Sequence, residues 1–207
     1  MITIIDYKAG NLTSVKLAFK ALGVSAKITD EPQEILAAER IVFPGVGAAG
    51  ASMKNLHRLR LVTPIRAKID EGTPFLGICV GMQVLFDYSE EDGGTPCIGV
   101  VPGAVKRFRP VDQSCKIPHM GWNRVKLKAE HPLLAGIENE SEFYFVHSYY
   151  PAPAETSTIY GQTDYAGANF AAMIGRHNFF ATQFHPEKSG RIGLKLLDNF
   201  SRWDVSC

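Results

Sequence analysis

The cysteine at position 79 lies at a predicted strand-to-helix turn and is the first candidate for chemistry in this chain. Residues 77–81 read Gly-Ile-Cys-Val-Gly, between an apolar run at 74–76 and a helix-like stretch at 82–86. A nucleophile at such a turn is exposed at the end of a sheet, and the flanking glycines leave room for the bend. The N-terminus of the following helix favours a thiolate and offers N–H groups to an oxyanion. A buried structural cysteine is the alternative interpretation.

A histidine and a glutamate follow a second predicted strand far along the chain. Residues 179–184 form an apolar run that leads into His185, Pro186 and Glu187. Side chains two positions apart on a strand point the same way, and a proline ends sheet pairing, so both polar groups should protrude together. A carboxylate beside an imidazole orients the ring and stabilises its charged form. We predict a triad of Cys79 as nucleophile, His185 as base and Glu187 as orienter; an incidental surface histidine is the alternative.

Size and composition narrow the class of protein. The chain has 207 residues, is 45% hydrophobic, and balances 22 basic against 21 acidic residues for a net charge of +1. These values predict one domain spanning 1–207 and no nucleic-acid surface. No basic leader or long apolar segment is present, so we expect no signal peptide, no membrane span and a cytoplasmic location. Four cysteines without CxxC spacing indicate reduced thiols, in a cytosol or in an organelle stroma after processing, and scattered histidines predict no metal.

The elements that must position these residues alternate in the first half. We predict strands at 2–5, 26–29, 40–43 and 74–79, and helices at 11–22, 32–36 and 53–71, the last interrupted before Pro64. This pattern indicates a mainly parallel sheet flanked by helices, of flavodoxin-like type, with catalytic groups at the carboxyl ends of its strands. Gly45 and Gly47 end the strand that we expect beside that of Cys79. Their turn is interpreted either as an oxyanion-binding backbone or as an ordinary connection.

The second half reads differently, as successive strands. Predicted segments are 100–108, 122–128, 142–149, 158–163, 170–175 and 179–184, before a final helix over 190–203. We expect an antiparallel portion of the sheet here. Residues 118–123, Pro-His-Met-Gly-Trp-Asn, place Trp122 beside a glycine turn, either in the core or as an interface anchor. His57, His131 and His177 have no supporting context and are assigned to surface or structure.

These motifs together resemble a known family. Residues 77–83 with 184–189 look like a class I (triad) glutamine amidotransferase. More narrowly, residues 6–12, 43–47, 118–123 and 145–149 resemble the glutaminase subunits of imidazole glycerol phosphate synthase. The resemblance spans nearly the whole chain. One departure is Lys8, where that pattern has glycine, which leaves the local turn conformation open.

The resemblance implies glutamine hydrolysis through a thioester on Cys79, without a cofactor. It also implies transfer of ammonia to a separate (β/α)8-barrel cyclase subunit in a 1:1 heterodimer that serves histidine biosynthesis. The roles it implies are as follows: oxyanion-binding amides at Val46 and Val80; substrate contacts from Gly47, Gln83, Glu91, Tyr144 and Ser148; and a partner surface of Met120, Trp122, Asn123 and Lys188. From the spacing alone, Glu91 follows Cys79 after a helix of about two turns, so its carboxylate could return to the pocket.

Three other interpretations stay open. Another triad glutaminase subunit, such as that of pyridoxal phosphate synthase, would share Cys79, His185 and Glu187, but we would not expect the 118–123 motif in it. A γ-glutamyl peptide hydrolase needs no partner, and its secreted members would carry a signal peptide. A regulatory protein that kept the fold but lost catalysis would not need an intact triad, since fold alone never establishes function.

Overall fold

The computed structural model describes residues 1–110, 112 and 115–205 of the chain. Its strands are β1 (Ile2–Ile5), β2 (Ala26–Thr29), β3 (Ile41–Gly45), β4 (Phe75–Cys79), β5 (Phe86–Ser89), β6 (Thr95–Pro96), β7 (Val101–Arg107), β8 (His119–Arg124), β9 (Lys126–Leu127), β10 (Glu142–His147), β11 (Tyr149–Pro153), β12 (Ile159–Tyr165), β13 (Ala168–Arg176) and β14 (Phe179–Thr182). Its helices are α1 (Leu12–Ala21), α2 (Pro32–Leu36), α3 (Ala49–Arg58), α4 (Val62–Asp70), α5 (Val80–Gln83) and α6 (Gly190–Arg202).

A central eight-stranded sheet organises the molecule. Its strand order is β2-β1-β3-β4-β14-β13-β12-β9, parallel through β14 and antiparallel beyond it. Every residue of β1, β3, β4 and β14 is buried, which is typical of parallel strands covered on both faces. The predicted fold class, a mainly parallel sheet flanked by helices with an antiparallel portion in the C-terminal half, is therefore confirmed.

The register of three neighbouring strands assembles the site. β4 lies between β3 and β14; Gly45 pairs with Cys79, and Thr182 pairs with Ile78. The carboxyl ends of the three parallel strands thus meet at one edge of the sheet, as expected for a site in this architecture. The prediction that the Pro44–Gly47 turn lies next to the Cys79 strand is confirmed.

Two predicted helices differ from those observed. The helix after Cys79 is one turn, Val80–Gln83, and the chain then enters strand β5, so the predicted two-turn helix before Glu91 is wrong. The buried apolar residues 84–86 fit a buried strand as well as a helix, which is why their pattern was ambiguous. The interruption predicted before Pro64 in the helix over 53–71 is confirmed by the break between α3 and α4, but α3 begins earlier than predicted, at Ala49.

Two smaller sheets complete the fold. β10 pairs with β8 in one, and the order in the other is β11-β7-β5-β6. The segment predicted as one strand over 142–149 is interrupted at Ser148, where the chain leaves the first small sheet for the second. β11 contains Pro151 and Pro153 and lies at a sheet edge, where missing N–H donors are tolerated.

The turn that contains Lys8 has a left-handed residue where the related pattern has glycine. Lys8 has φ of 64°, a conformation that glycine adopts without strain. Its N–H donates to Asp6 Oδ1 at 2.7 Å, and its ammonium lies 2.9 Å from Asp6 Oδ2 and 2.8 Å from Asp30 Oδ2. These contacts hold the turn in place without glycine.

Candidate active site

Cys79 occupies a strained backbone conformation between β4 and α5. Its φ of 54° and ψ of −113° lie in a region that residues other than glycine rarely adopt, and such strain is concentrated at functional sites. Close packing of the backbone explains the following glycine, because a Cβ at Gly81 would overlap the carbonyl oxygen of Phe43. The sequence-based prediction of a sharp strand-to-helix turn at Cys79 therefore matches the backbone.

His185 and Glu187 form a buried pair beside this turn. His185 Nδ1 lies 2.8 Å from Glu187 Oε1, and both side chains are almost fully excluded from solvent. A carboxylate only accepts hydrogen bonds, so Nδ1 carries a hydrogen, and Nε2 is the ring nitrogen that Glu187 does not contact. We predicted that both side chains protrude together from a strand end; instead, β14 ends at Thr182, and the pair is buried and forms across a 3₁₀ turn at Pro186–Lys188.

The main chain of β10 anchors this pair. The N–H of His185 donates to the carbonyl of Tyr144 at 2.9 Å, and the hydroxyl of Ser189 donates to the carbonyl of His185 at 2.7 Å. The same hydroxyl accepts the N–H of Tyr144 at 3.0 Å. The main chain of His185 is thereby held by hydrogen bonds to a second sheet, and its imidazole is held by Glu187.

The surroundings of His185 favour its charged form. Burial opposes the charge, but the neighbouring Cys79 sulfur and the Glu187 carboxylate outweigh it and raise the pKa of His185 to about 10. Among the described residues, Nε2 of His185 and Oε2 of Glu187 are buried without a partner in hydrogen-bonding geometry. An imidazolium next to a cysteine stabilises the thiolate and supplies a proton to a leaving group.

A cavity of about 260 Å³ opens onto Cys79 and His185. Its wall is formed by Val46, Gly47, Cys79, Val80, Gln83, Glu91, Pro118, Val146, His147, Ser148, Tyr149 and His185. Seven of the residues singled out from the sequence lie on this wall together with His185, and Glu187 stands behind the imidazole. A larger groove of about 770 Å³ lies over residues 127–139. Its described lining contains no cysteine and a single carboxylate, so it lacks the nucleophile found at the smaller cavity.

The two predicted oxyanion residues directly follow the ends of two neighbouring strands. Val46 follows Gly45, which pairs with Cys79, and Val80 follows Cys79 itself. Gly47 has φ of 90°, so the turn after β3 uses a conformation suited to glycine. Both valines line the cavity together with Cys79.

Glu91 reaches the cavity by a different route from the predicted one. After the single turn of α5, strand β5 carries the chain to a 3₁₀ turn at Glu91–Gly93. There, Oε2 of Glu91 accepts the N–H of Ala49 at 2.6 Å, the first residue of α3. The carboxylate therefore satisfies a helix N-terminus as well as lining the cavity, and burial raises its pKa.

Tyr144 does not lie where we predicted. Tyr144 is not one of the described residues that line the cavity. Its ring instead packs edge-on against Trp122, with centroids 6.1 Å apart, and lies under the ammonium of Lys188 at 5.9 Å. Tyr144 alternates in direction with Phe143 and Phe145, which are fully buried, so its ring points away from that core. Its backbone, not its ring, serves the site.

Most of the predicted partner residues form an exposed apolar patch on the β8–β10 sheet. Met120 is 63% exposed and Trp122 55% exposed, which is unusual for side chains of this size. Together with Tyr144 and Lys188 they form a continuous surface, here called the tryptophan face. Asn123 differs, because its amide donates inward to the carbonyl of Asp164 at 3.0 Å and contacts His119 Nε2 at 3.3 Å.

Sequence reasoning assigned no role to two polar residues near the site, His119 and Gln183. His147 and His119 are buried and linked, with His119 Nδ1 3.0 Å from His147 Nε2. Gln183 is fully buried, with Nε2 3.6 Å from the Cys79 sulfur. Each lies within a segment that we predicted to be a strand or a turn, but hydrogen bonds to distant segments bring them together. The one signal available was a polar residue inside an apolar run at position 183.

The described part of the chain contains no cluster of three or more histidine, cysteine, aspartate or glutamate side chains placed to hold a metal ion. Cys79, Cys97 and Cys115 are free thiols, and Cys207 lies outside the described residues. Burial raises the pKa of Cys97 to about 11. None of the helices in the described ranges has the length and apolar character of a membrane span.

Comparison with known proteins identifies the family of this chain. The model of the family "Glutamine amidotransferase class-I" matches residues 3–202. The imidazole glycerol phosphate synthase subunit HisH of Nitrosococcus oceani is 48% identical over 205 residues, covering 98% of this chain and 97% of that protein. The subunit of the same name from Methanocaldococcus jannaschii is 50% identical over 200 residues, covering 97% of this chain and 98% of that protein.

Solved structures share the fold at lower identity. The structure of PurLQS from Thermotoga maritima superimposes with a TM-score of 0.73 at 17% identity, covering 97% of this chain and 96% of that one. Such a likeness extends to the fold alone, whereas the family match and the curated relatives cover nearly the full sequence. The chain therefore belongs to the class I glutamine amidotransferase family and, within it, to the family of imidazole glycerol phosphate synthase HisH subunits.

Proposed function

We propose that this chain hydrolyses glutamine to glutamate and ammonia, with Cys79 as nucleophile, His185 as acid and base, and Glu187 as the group that orients His185. The observation that carries the proposal is the convergence of the strained Cys79 turn and the buried His185–Glu187 pair on one cavity. No cofactor is needed for this chemistry. Cys79, His185 and Glu187 supply the three chemical roles, nucleophile, base and orienter, that covalent catalysis of this kind uses.

The first half-reaction forms a thioester. The Cys79 thiolate attacks the side-chain amide carbon of glutamine, and the C–S bond forms as the carbonyl oxygen becomes an oxyanion. The backbone N–H groups of Val46 and Val80 are assigned to stabilise that oxygen. His185, charged at neutral pH because of its raised pKa, then gives its Nε2 proton to the amide nitrogen. The C–N bond breaks and ammonia leaves.

The second half-reaction returns the enzyme to its starting state. His185, now neutral, takes a proton from water, and the resulting hydroxide attacks the thioester carbon. The C–S bond breaks, glutamate leaves, and the thiolate–imidazolium pair is restored. Glu187 keeps Nδ1 protonated throughout, so that Nε2 is the nitrogen that exchanges protons.

The remaining cavity residues are assigned to the amino-acid end of glutamine. Glu91 supplies a carboxylate for the α-ammonium, while Gly47 and Ser148 supply polar groups at the wall. Both hydrogens of the Gln83 amide donate to protein acceptors, so its carbonyl oxygen is the atom left for a substrate contact. We do not assign the ring of Tyr144 to the substrate.

We further propose that ammonia passes to a separate (β/α)8-barrel cyclase subunit in a 1:1 complex. The names of the 48–50% identical relatives, each a synthase subunit, support a partner. The cyclase would combine ammonia with a phosphoribulosyl-formimino aminoimidazole carboxamide ribonucleotide, giving imidazole glycerol phosphate and AICAR for histidine biosynthesis. The same relatives favour this role over a glutaminase subunit of pyridoxal phosphate synthase.

The tryptophan face is our candidate for the cyclase interface. Its exposed Met120 and Trp122 are the kind of anchors that dominate interface energetics. Val146, which lines the cavity, pairs with Met120 across β8 and β10, so the cavity and the face share one small sheet. We also propose that residues 1–207 form a single domain, that the protein acts in the cytoplasm, and that neither nucleic acid nor membrane is a partner.

Glutamate release from glutamine tests the function directly. The chain is assayed alone, then with a cyclase barrel subunit and its ribonucleotide ligand, with Cys79→Ala as the matched control. A large rise in the complete mixture that disappears in Cys79→Ala is expected. Equal rates with and without the partner would reject coupling but keep the nucleophile, whereas turnover by Cys79→Ala near wild type would reject the nucleophile.

Trp122→Ala tests the interface. Loss of an exposed aromatic anchor is expected to weaken association with the cyclase roughly tenfold or more. The complex is measured by size-exclusion chromatography and titration. Leu17, which is also exposed but lies on α1, provides the control variant Leu17→Ala, for which unchanged affinity is expected. Equal affinity for the Trp122→Ala and wild-type chains would contradict the assigned face.

A further inference from the structure

Gln183 is a buried polar residue beside the nucleophile that the triad does not use. Its side chain is fully excluded from solvent and lies just after β14, two residues before His185. Nε2 lies 3.6 Å from the Cys79 sulfur, within hydrogen-bonding range for sulfur. Burying an amide costs free energy unless its N–H groups find acceptors, so a partner for this group matters.

The orientation of the Gln183 amide is fixed by its neighbours. The carbonyl of Tyr149 can only accept, so the Gln83 atom 2.9 Å from it must be the amide nitrogen. The second N–H of that nitrogen donates to Gln183 Oε1 at 2.8 Å. With its oxygen held in this way, Gln183 turns its nitrogen toward the sulfur of Cys79.

We propose that Gln183 is a positioning residue whose side-chain N–H, locked by Gln83, holds and stabilises the thiolate of Cys79. A hydrogen bond to an ionised acceptor is stronger than one to its neutral form, so this donor favours thiolate over thiol. It adds to the charge of His185 without taking part in proton transfer. The inference rests on the proposed function, because it concerns the same nucleophile.

A structural role in the core is the competing explanation for two linked buried amides. That role would affect the free energy of unfolding, whereas thiolate stabilisation also changes the pH at which Cys79 becomes reactive. The two effects are measured separately: urea unfolding reports stability, and the pH dependence of Cys79 alkylation reports the thiolate. Alkylation needs neither glutamine nor the cyclase, so it is independent of turnover.

The test is the rate of Cys79 alkylation by iodoacetamide as a function of pH, followed by mass spectrometry of the peptide that contains Cys79. Gln183→Glu keeps an acceptor for Gln83 but presents no N–H to the sulfur, and Gln183→Met removes both contacts at similar volume. Both are expected to move the reactivity midpoint to higher pH and to slow alkylation about tenfold below it. Gln83→Leu, which unlocks Gln183, should shift the midpoint in the same direction by less.

Thr182→Val is the matched control. Thr182 is the buried neighbour of Gln183, and its hydroxyl donates to the carbonyl of Phe184 at 3.0 Å. Its loss should lower stability to urea without moving the alkylation midpoint. If folded Gln183→Glu or Gln183→Met chains keep the wild-type midpoint, the inference is wrong even if Cys79→Ala abolishes glutamate release. Turnover by Cys79→Ala would overturn the proposed function instead.

Discussion

His185 and His147 line the same cavity, but their surroundings push their pKa values in opposite directions. His185 lies 2.8 Å from a carboxylate oxygen and next to the Cys79 sulfur, and its pKa rises to about 10. His147 is also desolvated, but its ring contacts a carbonyl oxygen and a neutral imidazole, and its pKa falls to about 3. Burial alone favours neutral histidine, so ionised partners decide which ring can carry a proton.

The hydrogen bonds around His147 define its tautomer. Nδ1 lies 2.8 Å from the carbonyl of Tyr149 and must donate, so Nε2 accepts from Nδ1 of His119 at 3.0 Å. Nε2 of His119 is then an acceptor for the amide of Asn123 at 3.3 Å. Burial lowers the pKa of His119 to about 4. We infer that the region around His185 exchanges protons, whereas the region of His147 and His119 stays uncharged.

Replacement of His185 should have the largest effect. His185→Gln removes both the acid–base group and the positive charge beside the sulfur, and we expect glutamate release to fall roughly 10³- to 10⁴-fold. The rate is measured with saturating cyclase and ribonucleotide, so that weakened association does not contribute. A loss below about tenfold would remove the basis for distinguishing the two histidine regions.

Removal of the Glu187 charge tests whether an ionised partner is what separates the pKa of His185 from that of His147. Glu187→Gln retains an acceptor for Nδ1 but leaves the imidazolium without its carboxylate, and we expect about a 10²-fold loss of rate. Because Glu187 helps to raise the pKa of His185 to about 10, the alkaline decline in activity should move to lower pH. The pH profile of glutamate release measures both changes. An unmoved alkaline limb would show that Glu187 acts by geometry alone.

Replacement of His147 should affect stability more than rate. His147→Gln can still donate to Tyr149 and accept from His119, so we expect glutamate release to change less than about tenfold. The pKa of His147 is about 3 in the folded chain, against a usual value of 6.5. As the pH falls, the unfolded chain therefore takes up this proton before the folded chain does. Its contribution to stability is therefore present above pH 6.5 and lost as the pH falls toward 3.

Urea unfolding across this acidic range checks the sign. The free energy of unfolding of His147→Gln should depend less steeply on pH than that of the wild-type chain. The opposite linkage applies to His185, whose raised pKa gives stability that is present below pH 6.5 and lost as pH rises toward about 10. Identical acidic slopes for His147→Gln and wild type would contradict a neutral folded His147.

The parts of the fold governed by local patterns were predictable from sequence. Continuous apolar runs gave β3, β4 and β14, and with them the edge where Cys79 and His185 meet. The tight pair of His185 and Glu187 was also expected, although it forms through a 3₁₀ turn. These features depend on residues close in the chain.

Features that depend on distant pairing were not predictable. The break at Ser148 sends the chain from β10 to β11, and this places His147 at the cavity while the ring of Tyr144 faces Trp122. Neither composition nor periodicity encodes which sheet a strand joins. Gln183 is similar, because its role depends on Gln83, one hundred positions away.

The backbone conformation at Cys79 implies a trade-off between thermal stability and activity. A residue other than glycine at φ of 54° and ψ of −113° costs on the order of 1–3 kcal/mol, which glycine would largely avoid. A laboratory selection for heat resistance alone would therefore reward glycine at position 79 and discard the sulfur. Thermostable variants of this protein must be sought elsewhere in the chain.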